Sequence, residues 1–159
     1  EAYKALLVSK EKITDLLNNR LDKLVDAECF TKEERKVIQI EKIIGFFQSK
    51  IGMRASKSEE IHKEAHFSLI KEINGEEVIV QGIIDCFFKE DDGYVLLDYK
   101  TNNILNVENI EELKGISESY KEQLNIYKQA IQISNGIHVK ESYLYLFKAD
   151  MEMEVPLNE

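Results

Sequence analysis

The sequence predicts an α/β (α+β) protein in which a central mixed β-sheet is flanked by helices and preceded by a helical segment. Apolar residues recur at helical spacing through the first 60 residues. After residue 63 they alternate instead, and turn signals divide them into strands. We therefore expect helices, three antiparallel strands, one helix and two final strands.

Two helices are predicted before residue 60. Residues 9–27 carry Leu and Ile at helical spacing after Ser9, a plausible cap, and residues 1–8 are interpreted as the tail of a preceding element. Thr31 followed by Glu34 forms a capping box that opens the second helix, which we expect Gly52 to end.

The first three predicted strands are separated by two turns. Asn74-Gly75, a strong hairpin signal, lies between Phe67–Ile73 and Val78–Phe88. Asp91-Asp92-Gly93 forms the next turn, before Tyr94–Lys100.

Residues 101–116 are polar and are interpreted as a loop with a helical turn around Val107–Leu113. Ser117 or Ser119 is expected to cap a helix that reaches about Ser134 and closes at Asn135-Gly136. Two strands follow, Val139–Phe147 and Met151–Leu157, with Pro156 near a sheet edge.

The length of 159 residues predicts a single domain, with residues 1–60 as its helical segment and residues 61–159 as its sheet core. Thirty acidic against 21 basic residues give a net charge of −9, which argues against a self-sufficient, nonspecific nucleic-acid binder. We expect most of this acidity on the helical faces. No apolar run is long enough to span a membrane, and Cys29 and Cys86 are too few for a disulfide framework. Because the first residue is not Met, we expect a piece of a longer protein.

Two strands carry charged residues among apolar neighbours. Asp85 follows Gly82-Ile83-Ile84, and Asp98 and Lys100 belong to Leu96-Leu97-Asp98-Tyr99-Lys100. Side chains alternate along a strand, so Asp98 and Lys100 share a face, and the short turn brings Asp85 near Asp98.

Two converging carboxylates repel each other unless a cation lies between them, and hard oxygen ligands suit Mg²⁺ or Mn²⁺. A metal ion there lowers the pKa of bound water, and Lys100 would orient or deprotonate that water. The alternative is an internal Asp–Lys ion pair that only closes the sheet.

Several motifs resemble the RecB-type nuclease module of the PD-(D/E)xK, restriction-endonuclease-like superfamily. They are Gly82–Cys86, Asp98-Tyr99-Lys100-Thr101, and Gln123-Leu124-Asn125-Ile126-Tyr127. Upstream, Ile43–Gly52 and Glu64-Ala65-His66-Phe67 are similar to the AddA family of bacterial helicase–nuclease subunits, with His66 where Pro is usual.

The resemblance implies a role for each matching residue. Asp85, Asp98 and the backbone carbonyl of Tyr99 would hold the metal, with Lys100 positioning or activating water. Gln123 and Tyr127, one turn apart on a helix, would line the site and contact DNA or order Lys100. A core aromatic is the alternative for Tyr127. Glu64 would support the site, unless it is a solvated strand-end carboxylate.

This sequence departs from the family in three ways. The family's metal-binding histidine, in a Gly-x-x-x-His setting, has no counterpart here and would precede Glu1; His62, His66 and His138 lie in other contexts. Asn102 stands where Asp is frequent. Relatives with an iron–sulfur cluster have four cysteines, so no cluster is expected, and Cys86 is interpreted as a core residue.

The resemblance thus implies a Mg²⁺-dependent DNA exonuclease domain of a cytoplasmic bacterial helicase–nuclease that processes double-strand breaks. Its other domains would use ATP and feed it single-stranded DNA, and an AddB-type subunit would be its partner, with no membrane involved. Two alternatives remain: a catalytically silent docking domain of the same complex, and a free-standing phage-type nuclease.

Overall fold

The structure, a computed structural model, describes residues 10–101 and 109–158, so the predictions for Ser9 and Asn102 lie outside the described residues. The chain divides into two compact units, one ending at Lys57 and the other beginning at Ser58. The first is helical and the second holds a five-stranded mixed sheet with a long helix, which confirms the predicted fold class. Among the described helices, none is long and apolar enough to cross a membrane.

The first unit contains α1 (Lys10–Asp26), α2 (Lys32–Val37), α3 (Ile40–Gln48) and α4 (Lys50–Lys57). The predicted capping box opens α2. The Thr31 backbone N–H donates to Glu34 Oε2 at 2.7 Å, and the Glu34 N–H donates to Thr31 Oγ1 at 3.1 Å. These two bonds satisfy backbone donors that a helix start otherwise leaves unpaired.

The prediction that Gly52 ends a helix is wrong, because Gly52 lies inside α4. A Cβ at this position would lie 1.9 Å from the carbonyl oxygen of Phe46, so the glycine permits a close backbone approach. The break between α3 and α4 falls instead at Ser49, which is extended; its hydroxyl donates to Phe46 O and accepts from Gly52 N–H.

The sheet of the second unit has the strand order β1-β2-β3-β4-β5. These strands span Ile61–Ile73, Glu76–Glu90, Gly93–Lys100, Val139–Leu146 and Met151–Glu154. All neighbours are antiparallel except β3 and β4, which are parallel. The hairpin predicted at Asn74-Gly75 is present, with positive φ at both residues (56° and 81°), as a type I′ turn requires.

The helix α5 (Ile110–Asn135) connects the parallel strands β3 and β4 and begins earlier than predicted. Its cap is Asn109, whose side chain accepts from the N–H groups of Glu111 and Glu112. Ser119 is an interior residue whose hydroxyl donates to the carbonyl of Ile116 at 2.8 Å, so it satisfies itself within the helix. The predicted close at Gly136 is present, with φ of 65°.

The core of the second unit lies between α5 and one face of the sheet. Leu124, Tyr127 and Ile131 are its helical members. The sheet and the following segment contribute Ile84, Phe87, Tyr94, Leu96, Val139, Leu144, Leu146 and Val155. Packing of these side chains fixes which face of α5 meets the ends of β3 and β4.

The acidic excess lies mainly outside the helical segment, contrary to expectation. Up to Lys57 the chain has 12 basic and nine acidic residues, a net charge of +3. From Ser58 it has nine basic and 21 acidic residues, a net charge of −12. Any polyanion bound by the sheet unit therefore meets a repulsive field outside its local contacts.

A polar cluster at the start of β1 ties this strand to β2 and β3. Glu60 Oε1 accepts from the Tyr94 hydroxyl at 2.6 Å and lies 3.0 Å from His62 Nε2. The Tyr94 bond, followed by the His62 bond, lowers the pKa of Glu60 to about 2.

We expect Glu60→Gln to reduce thermal stability at pH 7, and this deficit to shrink as the pH falls from about 4.5 to 2. An acid with a lowered folded pKa stabilises the fold above its unfolded pKa, and this stabilisation is lost as the pH falls through the folded value. Unfolding temperatures measured across this range for the wild type and Glu60→Gln test the expectation, with Glu59→Gln as the matched control. A deficit that stays constant with pH contradicts it.

Candidate active site

The strands β2 and β3 separate where the predicted acidic residues stand. Their last ladder pair on this side is Cys86 with Leu97, and the next positions, Asp85 and Asp98, are not paired. The Asp85 carboxylate instead accepts the backbone N–H of Tyr99 at 2.9 Å. At the point where the two strands separate, the Asp85 side chain accepts the hydrogen bond that a strand backbone would otherwise accept.

The neighbouring strand β1 is distorted at the same level. Glu64 has φ of 50°, which is unusual for a non-glycine residue in a strand, and it makes no ladder pair with Asp85. His62 stacks on Phe87, a member of the α5-facing core, and Ala65 packs against that core too. His62 and Ala65 are three residues apart, and two such residues lie on the same face of a strand only if the regular alternation of side chains is interrupted between them.

The same break occurs in β2, because Ile84 and Phe87 both belong to the α5-facing core. The intervening Asp85 is thereby released from the regular alternation and reaches the backbone of β3. Within an extended strand the N–H and C=O of one residue point the same way. We therefore expect the carbonyl of Tyr99 on the same side of β3 as its N–H, which faces Asp85.

Asp98 is an acid inside the core. It is 2% exposed, and this burial raises the pKa of its carboxyl group, with the nearby charge of Asp85 adding to the effect against the opposing influence of Lys100. Lys100 Nζ lies 2.6 Å from Asp98 Oδ2, so the two side chains form a buried ion pair, although this oxygen makes no hydrogen bond of regular geometry.

Other buried polar side chains in the described ranges are satisfied. The Ser142 hydroxyl donates to Val155 O, and Asn125 donates to Lys121 O and accepts from Asn158 N–H. Leaving a buried acceptor unpaired costs about 1–3 kcal/mol. The ion pair of Asp98 Oδ2 with Lys100 offsets part of this cost, and among the described residues Asp98 is the one whose buried side chain keeps an oxygen without a hydrogen bond.

Lys100 is held by several groups at once. Its Nζ lies 3.1 Å from Gln123 Oε1 and 4.2 Å from the centroid of the Tyr120 ring, in addition to Asp98. Gln123 Nε2 in turn donates to the Tyr127 hydroxyl at 2.6 Å. Burial raises the pKa of Tyr127, so this hydroxyl stays neutral at physiological pH.

The donor set fits a hard divalent cation. Asp85, Asp98 and the Tyr99 carbonyl offer oxygen atoms, and Asp98 Oδ2 has an unused lone pair. Within the described ranges there is no group of three or more His, Cys, Asp or Glu side chains able to hold a metal ion. A site with two carboxylates and a backbone carbonyl needs no such group.

The structure thus brings together Asp85, Asp98, Lys100, Gln123 and Tyr127. Glu64 lies between the ladder pairs Lys63–Cys86 and Ala65–Ile84, but its side chain is exposed and makes no contact that links it to them.

The remaining predicted residues lie elsewhere. Cys86 is a core residue, as expected, and is 1% exposed. His62 contacts Glu60 and Phe87, whereas His66 is exposed. His138 accepts the Tyr94 N–H through its backbone carbonyl.

The structure adds one residue to this group that the motifs did not indicate, Tyr120, whose ring contacts Lys100. The feature of the sequence that indicates this role is the spacing of Tyr120 from the two motif residues on the same helix. Tyr120, Gln123 and Tyr127 lie at i, i+3 and i+7, which places all three on one face of α5.

Comparison with known families matches residues 1–155 to the PD-(D/E)XK nuclease superfamily. Similar curated proteins are named as subunits of an ATP-dependent helicase/nuclease. The one from Clostridium novyi (strain NT) is 41% identical over 159 residues, covering 92% of this chain. That from Anoxybacillus flavithermus is 35% identical over 150 residues, covering 94%. The chain spans 12% of the length of either relative.

A solved structure titled "Crystal structure of SSO0001" aligns with 99% of this chain and 56% of its own at 13% identity, with a TM-score of 0.41. This likeness is too slight to carry an argument about the site.

We expect Asp98→Asn to raise the unfolding temperature in metal-free buffer at pH 7. An acid with a raised folded pKa destabilises the fold when ionised, and the neutral amide avoids this penalty. A gain near 1 kcal/mol would raise the midpoint by about 2–4 °C. Calorimetry with the exposed turn variant Asp91→Asn as control measures it. A midpoint below that of the wild type means that contact with Lys100 outweighs burial.

Proposed function

This chain belongs to the PD-(D/E)XK nuclease superfamily, as its motifs predicted, and from that premise we propose that it is the nuclease domain of an ATP-dependent helicase–nuclease. It would hydrolyse the phosphodiester bonds of single-stranded DNA as an exonuclease during double-strand-break processing and recombinational repair. One observation carries this proposal: a buried carboxylate oxygen without a hydrogen bond lies beside a second carboxylate and a lysine.

The proposal gives each site residue a task. Asp85, Asp98 and the Tyr99 carbonyl would hold the metal ion. Members of the superfamily use divalent ions, and for this chain we propose Mg²⁺, with Mn²⁺ as a substitute, because all donors are hard oxygen atoms. The bound ion supplies a water of lowered pKa and offsets negative charge on the phosphate.

Lys100 would position the attacking water and balance negative charge beside Asp98. Its side chain is 14% exposed, so contacts with the protein rather than bulk water determine the direction of the ammonium group. Gln123 accepts from it, and Tyr127 accepts from Gln123, so α5 orients the lysine. Tyr127, which packs edge-on against Phe67 and belongs to the core, serves packing and orientation together.

The charge distribution supports delivery of DNA by other parts of a longer protein. The sheet unit carries a net charge of −12, so few of its side chains attract phosphate. The relatives are about eight times longer than the matched segment, which favours a domain of a larger helicase–nuclease over a free-standing phage-type enzyme. ATP use, a bacterial cytoplasmic location and an AddB-type partner subunit belong to the same proposal.

We expect Asp85→Asn, Asp98→Asn and Lys100→Met each to lower DNA cleavage at least about 100-fold, because each removes a metal ligand or the group that positions water. The assay is Mg²⁺-dependent release of nucleotides from single-stranded DNA by the complete protein. Limited proteolysis of the complete protein reports folding of this domain, and Asp91→Asn, an exposed turn variant, is the matched control. Unchanged cleavage in all three variants, with no divalent-ion binding by calorimetry, would favour the silent docking domain.

We expect Gln123→Ala to lower kcat about tenfold, since it removes one hydrogen bond to a charged group, worth about 1.5 kcal/mol. Tyr127→Phe should have a smaller effect, because the bond between Gln123 and Lys100 survives. Gln129→Ala, an exposed change on the same helix, is the control for both. Equal kcat values for Gln123→Ala and Gln129→Ala would show that Gln123 does not contribute to the reaction.

A further inference from the structure

The ring of Tyr120 covers one side of the Lys100 ammonium. The distance from Nζ to the ring centroid is 4.2 Å, well within the range of a cation–π interaction. Gln123 and Asp98 contact the same ammonium. Of these three contacts, Asp98 and Gln123 were expected from the motifs, whereas Tyr120 was not.

The ring is itself fixed by packing. Tyr120 is half-buried and packs against the core cluster that α5 forms with the sheet. Its position one turn before Gln123 sets ring and amide side by side along the helix. An ammonium that lies between a packed ring and an amide oxygen has less freedom to swing away from Asp98.

We propose that Tyr120 is a positioning residue for phosphodiester cleavage, whose ring holds the ammonium of Lys100 towards Asp98. This inference rests on the proposed nuclease function. It assigns the aromatic face, not the hydroxyl, as the part that acts. Tyr127 differs, because it reaches Lys100 only through Gln123.

The decisive comparison is Tyr120→Leu with Tyr120→Phe in the complete protein. A cation–π contact shielded from water is worth about 1–2 kcal/mol, so loss of the ring should lower kcat about fivefold to thirtyfold. Tyr120→Phe keeps the ring and should stay within about twofold of the wild type. KM for DNA should remain unchanged in both, because the ring acts on the lysine. Tyr143→Leu, on the opposite face of the sheet, controls for loss of a tyrosine.

A second measurement does not depend on activity. Tyr120→Leu should speed hydrogen exchange in the first half of α5 more than Tyr120→Phe does, and Lys100→Met should abolish this difference. A ring that only fills space would give the same difference with or without the lysine charge. If the leucine variant does not fold, Tyr120→Met replaces it.

The outcomes of these experiments distinguish the proposed role of Tyr120 from the proposed nuclease function. An active wild type in which the phenylalanine and leucine variants cleave equally well overturns the role of Tyr120 and leaves the nuclease proposal intact. A wild type that cleaves no better than its Asp98→Asn variant overturns both. An exchange difference that persists in Lys100→Met assigns Tyr120 to packing alone.

Discussion

The hydrogen bond from the Tyr99 backbone to the Asp85 carboxylate is the interaction on which the site depends. It occupies the point where β2 and β3 stop pairing, and so satisfies a donor that the fork would otherwise leave open. The paired breaks in alternation at Glu64 and Asp85 free this carboxylate from the core face. Without these breaks, the Asp85 side chain would point to one face of the sheet, as in any regular strand, and would not reach the backbone of β3.

The helix α5 links the core to the site through adjacent stripes. Its apolar residues, such as Leu124 and Ile131, pack on the sheet, while Tyr120 and Gln123 meet Lys100. Tyr127 belongs to both stripes. Because the same helix supplies both stripes, packing density sets the position of the polar groups, and a shift of the helix would move every contact of the lysine.

The site holds negative charge where it is electrostatically unfavourable for the folded protein, and the proposed chemistry depends on that charge. Burial disfavours the ionised Asp98, and the neighbouring Asp85 adds to the repulsion. Lys100 compensates only in part, since its approach leaves Oδ2 without a hydrogen bond. A fold selected only for stability would replace this acid with an apolar residue, so its presence points to function rather than packing.

The sequence by itself determined the order of elements, the hairpin at Asn74-Gly75 and the capping box at Thr31. Each depends on contacts between residues close in sequence, for which local spacing is a sufficient guide. The candidate site residues were predicted from motifs that resemble a known family, because Asp85, Asp98 and Gln123 are far apart in the chain. The sequence alone misjudged Gly52 and the start of α5, because a glycine reads as a helix end unless the close approach of Phe46 is known, and Asn109 capped the helix before the serines.

Only the tertiary structure decided what surrounds Lys100 and how Asp85 is aimed. In the sequence, Tyr120 looks like one more apolar position of a helix, and its contact with Lys100 is evident only when β3 is seen beside α5. The turning of Asp85 out of its strand pattern depends on a matching distortion in β1, 21 residues away in the chain at Glu64. Such features come from the packing of distant segments, and no local pattern in the sequence encodes them.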